Sequence, residues 1–284
     1  MTTPNRIPAP PVPPPSAPRK PVPDLFRREP KTNGQCVLVY GQPGVGKTSL
    51  CCALPGPVAY LDIENSLSRQ LFDKMPEKYR DNVFIYNFDE HKCTWQALIE
   101  AISDMNAFSG FKSIVVDSAT VAQRLSFDAV AIKYGQGAAA GIESVPYGKG
   151  YGYAASEWTT QLLPLATLHA EAGRNFVLVA HSMNAKVANP GGSDYLSVFP
   201  QLYGAGIEKG DNNIQGSVFA WSNHCIYMDY DKAISKEGKV RGNGTRCIYT
   251  SGQNWIRAKT RGRAPETIIP DPENLEEVWA QLFA

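Results

Sequence analysis

The segment Cys36-Val-Leu-Val-Tyr-Gly41-Gln-Pro-Gly-Val-Gly46-Lys47-Thr48 determines the fold expected for this 284-residue chain. Its first five residues are apolar, which predicts a buried strand. The glycines that follow let backbone N–H groups turn around phosphate oxygens, and the helix predicted from Thr48 points its positive end at them. This order predicts a phosphate-binding loop of the G-x-x-x-x-G-K-[ST] type. Its nucleotide-binding residues are Gly41, Pro43, Gly44, Val45, Gly46, Lys47, Thr48 and Ser49.

Two further features complete the predicted phosphate site. Lys47 is expected to reach the β- and γ-phosphates, and the Thr48 hydroxyl is an oxygen ligand of the kind that Mg²⁺ prefers. The run Ser113-Ile-Val-Val-Asp117 is a second apolar strand, and its terminal carboxylate is predicted to hold the same Mg²⁺. The guanine-selecting sequence N-K-x-D does not occur in the chain. ATP and Mg²⁺ are therefore the expected cofactors.

Hydrolysis also needs a base that activates water. Ser118 follows Asp117 at the position where many hydrolytic ATPase machines carry a glutamate, so the base is expected elsewhere. Glu64 follows the apolar run 58–62 and should lie at the carboxyl edge of the sheet, beside the phosphate loop. We predict Glu64 as the base, with Asp62 as the competing acid.

Short apolar runs alternate with longer mixed segments from Gln35 onward, a pattern typical of a sheet wrapped by helices. The runs comprise residues 36–40, 58–62, 83–88, 114–117, 176–180, 225–230 and 247–250. Helix-like stretches separate the first five runs, which predicts parallel strands, whereas a short polar turn joins the last two, which predicts an antiparallel hairpin. The predicted fold class is α/β, with a mostly parallel sheet, an added C-terminal β-hairpin and helices on both faces.

Two long Gly-rich segments, 133–156 and 184–217, interrupt this alternation, and long stretches without predicted structure are typically functional. The chain ends in a predicted amphipathic helix with Asp271 as its N-cap and Pro272 as its first residue. Its apolar positions at i, i+3, i+4 and i+7 are Leu275, Val278, Trp279 and Leu282. We expect this helix to pack on its own domain.

Proline and positive charge are concentrated near the N-terminus. Ten of the 22 prolines lie in residues 1–23, and residues 1–33 carry a net charge of +4, so residues 34–284 sum to −3. We predict a disordered, Pro-rich, basic arm over 1–33, acting as a tether or a P-x-x-P ligand, and one domain over 34–284. That domain is not a bulk electrostatic binder of nucleic acid. Because no apolar run has the length of a membrane span, a soluble, cytoplasmic protein is expected.

The order of these features resembles the ATPase core of RecA-type recombinases, in particular the small phage-encoded RecA-like proteins of single-strand annealing and recombination. The resemblance covers about residues 34–269 and implies a RecA-like P-loop NTPase core. If the chain is phage-encoded, the expected location is the cytoplasm of the host. Besides the phosphate loop, it is carried by Leu61-Asp-Ile-Glu64, Val115-Val-Asp-Ser118, Phe176-Val-Leu-Val-Ala-His181-Ser182 and Trp255-Ile-Arg-Ala-Lys259-Thr-Arg261-Gly-Arg263-Ala-Pro265.

The resemblance implies roles for further polar residues. His181 matches a polar residue that senses the γ-phosphate, and its imidazole donates a hydrogen bond in a pH-dependent way where a glutamine is usual. Lys259 and Arg261, with Arg263 as an additional cation, match a basic pair that reaches the ATP of a neighbouring subunit. A solvated basic turn or a nucleic-acid patch is the alternative. The predicted catalytic residues are Glu64, Lys47, His181, Lys259 and Arg261.

By the same resemblance, the two Gly-rich segments would contact DNA in a central channel. Tyr147, Lys149, Tyr151 and Tyr153 alternate rings and one cation with glycine, which suits base stacking and phosphate contact. Packing of this segment on a neighbouring subunit is the alternative. Lys186 is the predicted DNA contact of the second segment.

The function expected from these features is an ATPase that binds single-stranded DNA in recombination or annealing. It would form a homo-oligomeric ring or filament, be stimulated by DNA and be completed across subunits. A single-strand-binding protein or another replication or recombination protein is a candidate partner. The alternatives are a hexameric helicase or packaging motor, and a non-hydrolytic module in which ATP only orders the loops.

Overall fold

The computed structural model of the chain describes residues 33–88, 93–189, 191–204, 213–234 and 240–284. The predicted basic arm lies outside the described residues except for Asn33.

One mixed sheet organises the described part of the chain. Its strands are β1 (Cys36–Gly41), β2 (Val58–Asp62), β3 (Val83–Ile85), β4 (Ser113–Asp117), β5 (Asn175–Val187), β6 (Tyr195–Pro200), β7 (His224–Ile234), β8 (Val240–Tyr249) and β9 (Thr267–Ile268). The strand order is β3-β2-β4-β5-β1-β7-β8-β9, and β6 pairs with β5 outside that path. Neighbours from β3 to β7 are parallel, whereas β7 with β8, β8 with β9 and β5 with β6 are antiparallel.

Helices cover both faces of this sheet. They are α1 (Lys47–Cys52), α2 (Arg69–Lys74), α3 (Glu77–Arg80), α4 (Trp95–Ser103), α5 (Ala119–Tyr134), α6 (Gly150–Glu157), α7 (Leu163–Glu171), α8 (Ile214–Trp221) and α9 (Glu276–Leu282). None of those in the described residues is long and apolar enough to cross a membrane.

Alternation along β1 separates two buried cores. Val37 and Val39 face a core shared with α1 and α9, while Leu38 and Tyr40 face one shared with α4, α5, α6 and α7. Successive side chains of a strand point to opposite faces, so an uninterrupted apolar strand needs cover on both sides. The predicted α/β class, with a mostly parallel sheet and a C-terminal antiparallel hairpin, is confirmed.

The Gly-rich segments hold more regular structure than the sequence predicted. Three short 3₁₀ turns span residues 138–148, and α6 begins at Gly150. In the second segment, β5 continues to Val187 and pairs with β6, and α8 follows. The number of glycines obscured an alternating run, in which Ser197 and Phe199 are buried and Leu196 is exposed.

The C-terminal helix begins later than predicted. Asp271 is not its N-cap, because its carboxylate closes a turn by accepting from the Glu273 backbone N–H at 3.0 Å and the Asn274 side-chain amide at 2.8 Å. The apolar spacing is correct, since Val278, Trp279 and Leu282 of α9 are buried. The Trp279 Nε1–H donates to the Leu50 carbonyl at 2.8 Å, so α9 packs on its own domain as expected.

Candidate nucleotide site

The sheet topology brings the predicted phosphate loop and the predicted acids to one edge. The loop leaves the carboxyl end of β1, which lies between the parallel strands β5 and β7. Asp62 and Asp117 end the neighbouring strands β2 and β4 in register, and His181 on β5 is in register with Gly41. Polar groups at the carboxyl ends of parallel strands share one crevice, the usual place for a ligand in an open α/β sheet.

The loop has the backbone that its glycines predict. Gly44 has φ 77° and Gly46 has φ 106°, the left-handed region that residues with a Cβ rarely adopt. Val45 between them is fully buried under the loop. The Lys47 Nζ donates to the carbonyls of Gly41 and Gln42 at 2.9 Å each, and burial lowers the pKa of this lysine. The loop is therefore formed and closed by its own lysine.

Asp117 lies under the loop as a buried carboxylate held by hydroxyl groups. Its Oδ2 accepts from the Tyr60 hydroxyl at 2.6 Å, the Ser66 hydroxyl at 2.7 Å and the Thr48 hydroxyl at 3.0 Å. Burial raises the pKa of Asp117, and the three hydroxyl donors oppose that shift. A desolvated carboxylate is stabilised by a cation, and the oxygens of Asp117 and Thr48 are ligands that Mg²⁺ prefers. These two residues therefore fit the predicted Mg²⁺.

Glu64 is the acid at this edge that contacts a basic side chain. Its Oε1 lies 2.6 Å from Nε2 of His181, and its Oε2 accepts from the Ser118 hydroxyl. The hydrogen bond from His181 is the main cause that lowers the pKa of Glu64, so this carboxyl is ionised at neutral pH. Asp62 accepts from the backbone N–H groups of Ser66 and Leu67 at 2.9 Å each. Since Asp62 closes a turn, Glu64 is the better placed base.

A cavity of about 250 Å³ lies on the other side of the loop, toward β8. Its lining residues are Gly46, Ser49, Leu50, Met228, Tyr230, Gly244, Thr245, Arg246, Pro270, Pro272 and Leu275. The Tyr230 hydroxyl donates to the Gly44 carbonyl at 3.4 Å. Flat proline and tyrosine side chains beside a phosphate loop suit the planar base and the ribose of a nucleotide.

The predicted intersubunit pair lies away from the phosphate loop of its own chain. The backbone of Lys259 pairs with Cys225 on β7 through hydrogen bonds of 2.8 and 2.9 Å. Burial raises the pKa of Cys36 to about 11 and lowers that of His224 to about 4, and the nearby charge of Arg261 opposes the first shift and adds to the second. Arg261 therefore lies near the first residues of β1 and β7. The loop leaves the far end of β1, about 20 Å away across six residues. The structure thus places Arg261 at the opposite edge of the sheet.

The residues predicted to contact DNA fall into two groups. Tyr147 is 94% exposed, Lys149 lies with its Nζ 5.8 Å from the centre of that ring, and Tyr153 is exposed as well. Tyr151 instead stacks on Tyr203 with ring centres 4.2 Å apart, and its hydroxyl donates to Glu143. The α6 helix directs Tyr151 inward, so its ring is used within the domain.

Lys186 and Tyr134 lie in the two Gly-rich segments that are predicted to contact DNA. Lys186 is exposed on β5 and forms an ion pair of 2.9 Å with Asp194, which offsets its charge. Tyr134, which the sequence analysis did not select, packs against Tyr153 with ring centres 4.6 Å apart and is 43% exposed. The exposed rings of the segment 133–156 are therefore Tyr134, Tyr147 and Tyr153.

Several residues of the nucleotide site were missed by the sequence analysis. Tyr60 and Ser66 hold Asp117, Ser118 holds Glu64, and Tyr230 and Arg246 lie beside the loop. Only Ser66 could have been found from local sequence. It lies four residues after Asp62, and its backbone N–H donates to the Asp62 carboxylate in a turn. The other contacts join residues more than 50 positions apart, and no sequence spacing indicates them.

Residues 33–262 match a family described as an AAA domain, AAA_24. No curated protein matches the chain. Among solved structures, the flagellar accessory protein FlaH from Methanocaldococcus jannaschii is similar over 84% of this chain and 85% of its own, with a TM-score of 0.43 and 9% identity.

Proposed function

The chain belongs to the AAA domain family. We propose that it is an ATP-hydrolysing, homo-oligomeric protein that binds single-stranded DNA in recombination or annealing. The observation that carries the hydrolytic part is the arrangement at the carboxyl edge of the sheet. There an ionised Glu64, oriented by His181 and Ser118, lies beside a formed phosphate loop and the Asp117 carboxylate.

The chain's own residues supply the parts that phosphoryl transfer needs. Glu64 accepts a proton from water as the water oxygen bonds to the γ-phosphorus and the bond to the ADP oxygen breaks. Each oxygen of Glu64 accepts from one protein group and keeps a second lone pair that can take up that proton. Lys47 leaves the Gly41 and Gln42 carbonyls to contact phosphate oxygens. Thr48 and Asp117 would hold Mg²⁺, which would supply positive charge to neutralise the phosphates.

Exposed aromatic rings support the proposal that the protein binds single-stranded DNA. Tyr147 and Tyr153 are exposed to solvent, and Lys149 adds a positive charge beside the first of them. Stacking of bases on exposed rings depends little on base identity, which suits binding without sequence preference. Because residues 34–284 carry a net charge of −3, we infer that each subunit binds weakly and that assembly of many subunits provides the affinity.

The position of Lys259 and Arg261 supports the proposal of an oligomer. These cations lie at the amino edge of the sheet, where they do not reach the phosphates of their own chain. In a head-to-tail ring or filament that uses these cations, the amino edge of one subunit would meet the loop of the next. Each active site would then be completed by its neighbour.

The experiment that tests this function measures ATP hydrolysis per subunit over a hundredfold dilution, with and without single-stranded DNA. We expect the rate to rise with protein concentration and with DNA.

Glu64→Gln should keep nucleotide binding and lose hydrolysis by about 10²- to 10⁴-fold, the usual contribution of a general base. Tyr147→Ala should weaken DNA binding by 1–3 kcal/mol for each base that it stacks, roughly 5- to 150-fold.

Tyr86→Ala is the matched control for Tyr147→Ala, because Tyr86 is 37% exposed and follows β3 at the far side of the sheet. A rate per subunit that ignores both dilution and DNA would show that the oligomer and DNA parts are wrong. Normal hydrolysis by Glu64→Gln would refute the assignment of the base.

A further inference from the structure

Arg246 on β8 lies directly beside the phosphate loop. A Cβ built on Gly46 would be 3.5 Å from Nε and 3.6 Å from Cζ of Arg246, so the guanidinium is in van der Waals reach of the loop backbone. Arg246 is paired across the β7–β8 hairpin with Tyr230, whose hydroxyl contacts Gly44. The hairpin therefore brings one aromatic ring and one cation against the same loop.

A cation in this position indicates an anionic ligand. The loop already concentrates positive charge, because its backbone N–H groups converge and Lys47 is buried beside it. An additional guanidinium there increases the positive charge that an anion in the loop would meet. Arg246 also lines the 250 Å³ cavity that opens beside Gly46 and Ser49, and its side chain is exposed to the space that a ligand would fill.

The sheet order indicates which end of a nucleotide meets this arginine. In the order β4-β5-β1-β7-β8, Asp117 lies two strands from the loop on one side and Arg246 two strands away on the other. Lys47, Thr48 and Asp117 mark the side of the γ-phosphate and its metal. The α-phosphate and the nucleoside must therefore extend toward the β8 side.

We propose that Arg246 binds the α-phosphate end of the nucleotide held by the phosphate loop of its own chain. This inference rests on the proposed nucleotide-binding function and adds a positioning residue to it. ADP and ATP share that end, so the contact does not distinguish them. The planar guanidinium suits two phosphate oxygens at once, which a lysine cannot match.

The test is equilibrium binding of ADP and of the slowly hydrolysed analogue ATPγS to the full chain with Mg²⁺, measured by calorimetry. Arg246→Ala should weaken both ligands by the same factor, about 10- to 100-fold, as expected for a charge-assisted hydrogen bond. Arg246→Lys should recover part of the loss. Arg124→Ala is the matched control, since Arg124 is exposed on α5, across the sheet from α1, and should leave both affinities unchanged.

Each other result overturns a defined part of the proposal. Wild-type affinity of Arg246→Ala for both ligands would refute the contact. A loss confined to ATPγS would place Arg246 at the γ-phosphate instead. If the wild-type chain binds neither ligand, the proposed function fails rather than this assignment. Thermal unfolding without nucleotide shows whether each variant is folded.

Discussion

Glu64 and Asp117 show how the same chemical group takes different roles at one edge of a sheet. Burial among hydroxyl groups raises the pKa of Asp117, whereas the hydrogen bond from His181 lowers that of Glu64. Pairs of titratable groups whose surroundings separate their pKa values mark distinct chemical roles. An ionised Glu64 is suited to accept a proton, and a buried Asp117 is suited to hold a cation.

His224 is a second residue whose surroundings determine its charge. Its Nε2–H donates to Gln35 Oε1 at 3.2 Å, and its Nδ1 accepts from the Thr260 hydroxyl at 2.6 Å, so the neutral ring satisfies both partners. Burial first, and then the charges of Arg261 and Lys259, lower the pKa of His224 to about 4. The pKa of His224 is therefore sensitive to the basic segment that Lys259 and Arg261 form beside it.

We predict that His224 makes the protein less stable as the pH falls. Between pH 6.5 and about 4 the unfolded chain binds a proton here and the folded chain does not, so the free energy of unfolding decreases by about 3 kcal/mol across that window. Denaturant unfolding at a series of pH values should show this slope for the wild type and its loss in His224→Gln.

Arg261→Ala provides the matched control for this pH dependence. Removing the nearby cation should raise the pKa of His224, which NMR titration of the imidazole measures. An unchanged pKa in Arg261→Ala, or a wild-type histidine that titrates near 6.5, would contradict the placement of the basic segment at the amino ends of β1 and β7.

At the scale of elements, the C-terminal helix supports the phosphate loop from below. Trp279 of α9 is buried, and its indole donates to the carbonyl of Leu50 in α1. Since α1 begins at Lys47, the same short helix carries the loop lysine at one end and the contact with α9 near the other. The packing of α9 and the shape of the loop are therefore linked.

We predict that Trp279→Ala lowers the free energy of unfolding by about 3–5 kcal/mol, because it leaves a large cavity in the core. Trp279→Phe should lose less, since it keeps most of the ring volume and removes one hydrogen bond worth about 1 kcal/mol. Denaturant unfolding measures both. Trp255→Ala is the control, because Trp255 is 38% exposed, and an equal loss in that variant would contradict the packing argument.

At the scale of the whole molecule, the two charged sites lie at opposite edges of one sheet. The phosphate loop is at the carboxyl edge, and Arg261 is at the amino edge beside His224. In the proposed oligomer these two edges would meet head to tail, and contacts of that kind form rings or filaments. Each subunit would supply a nucleotide site to one neighbour and cations to the other.

Mixing two inactive variants tests this arrangement. Lys47→Ala cannot hold nucleotide but retains the basic pair, whereas Arg261→Ala holds nucleotide but lacks a cation worth about a thousandfold in rate. If sites are shared between subunits, an equal mixture should recover about a quarter of the wild-type ATPase rate, because one random interface in four joins an intact loop to an intact basic segment.

The wild type and each variant alone are the references for the mixing experiment. A mixture that hydrolyses ATP no faster than the two variants alone would exclude shared sites. Light scattering of the same samples establishes that mixed oligomers have formed, so that a negative result bears on the active site.

The phosphate loop, the strands around it and the α/β class could all be predicted from the chain alone. The loop depends on glycines at φ 77° and 106°, and the strands depend on apolar runs, so the determining residues lie within a few positions of one another. The predicted start of the C-terminal helix was wrong because an aspartate can cap a helix or close a turn. Asp271 closes a turn with Glu273 and Asn274. The β5–β6 pairing was missed because the glycines obscured the alternation in β6.

Contacts between distant residues depended on tertiary structure. Tyr60, Ser66 and Thr48 meet at Asp117, His181 and Ser118 meet at Glu64, and Arg246 meets Gly46, because the crossovers set the order in which the strands lie side by side. The same order separates Arg261 from the loop of its own chain. Local backbone chemistry, such as the turn that Asp62 closes, is encoded by neighbouring residues. The contacts of Glu64 with His181 and Ser118 arise because the strand order brings these residues to the same edge.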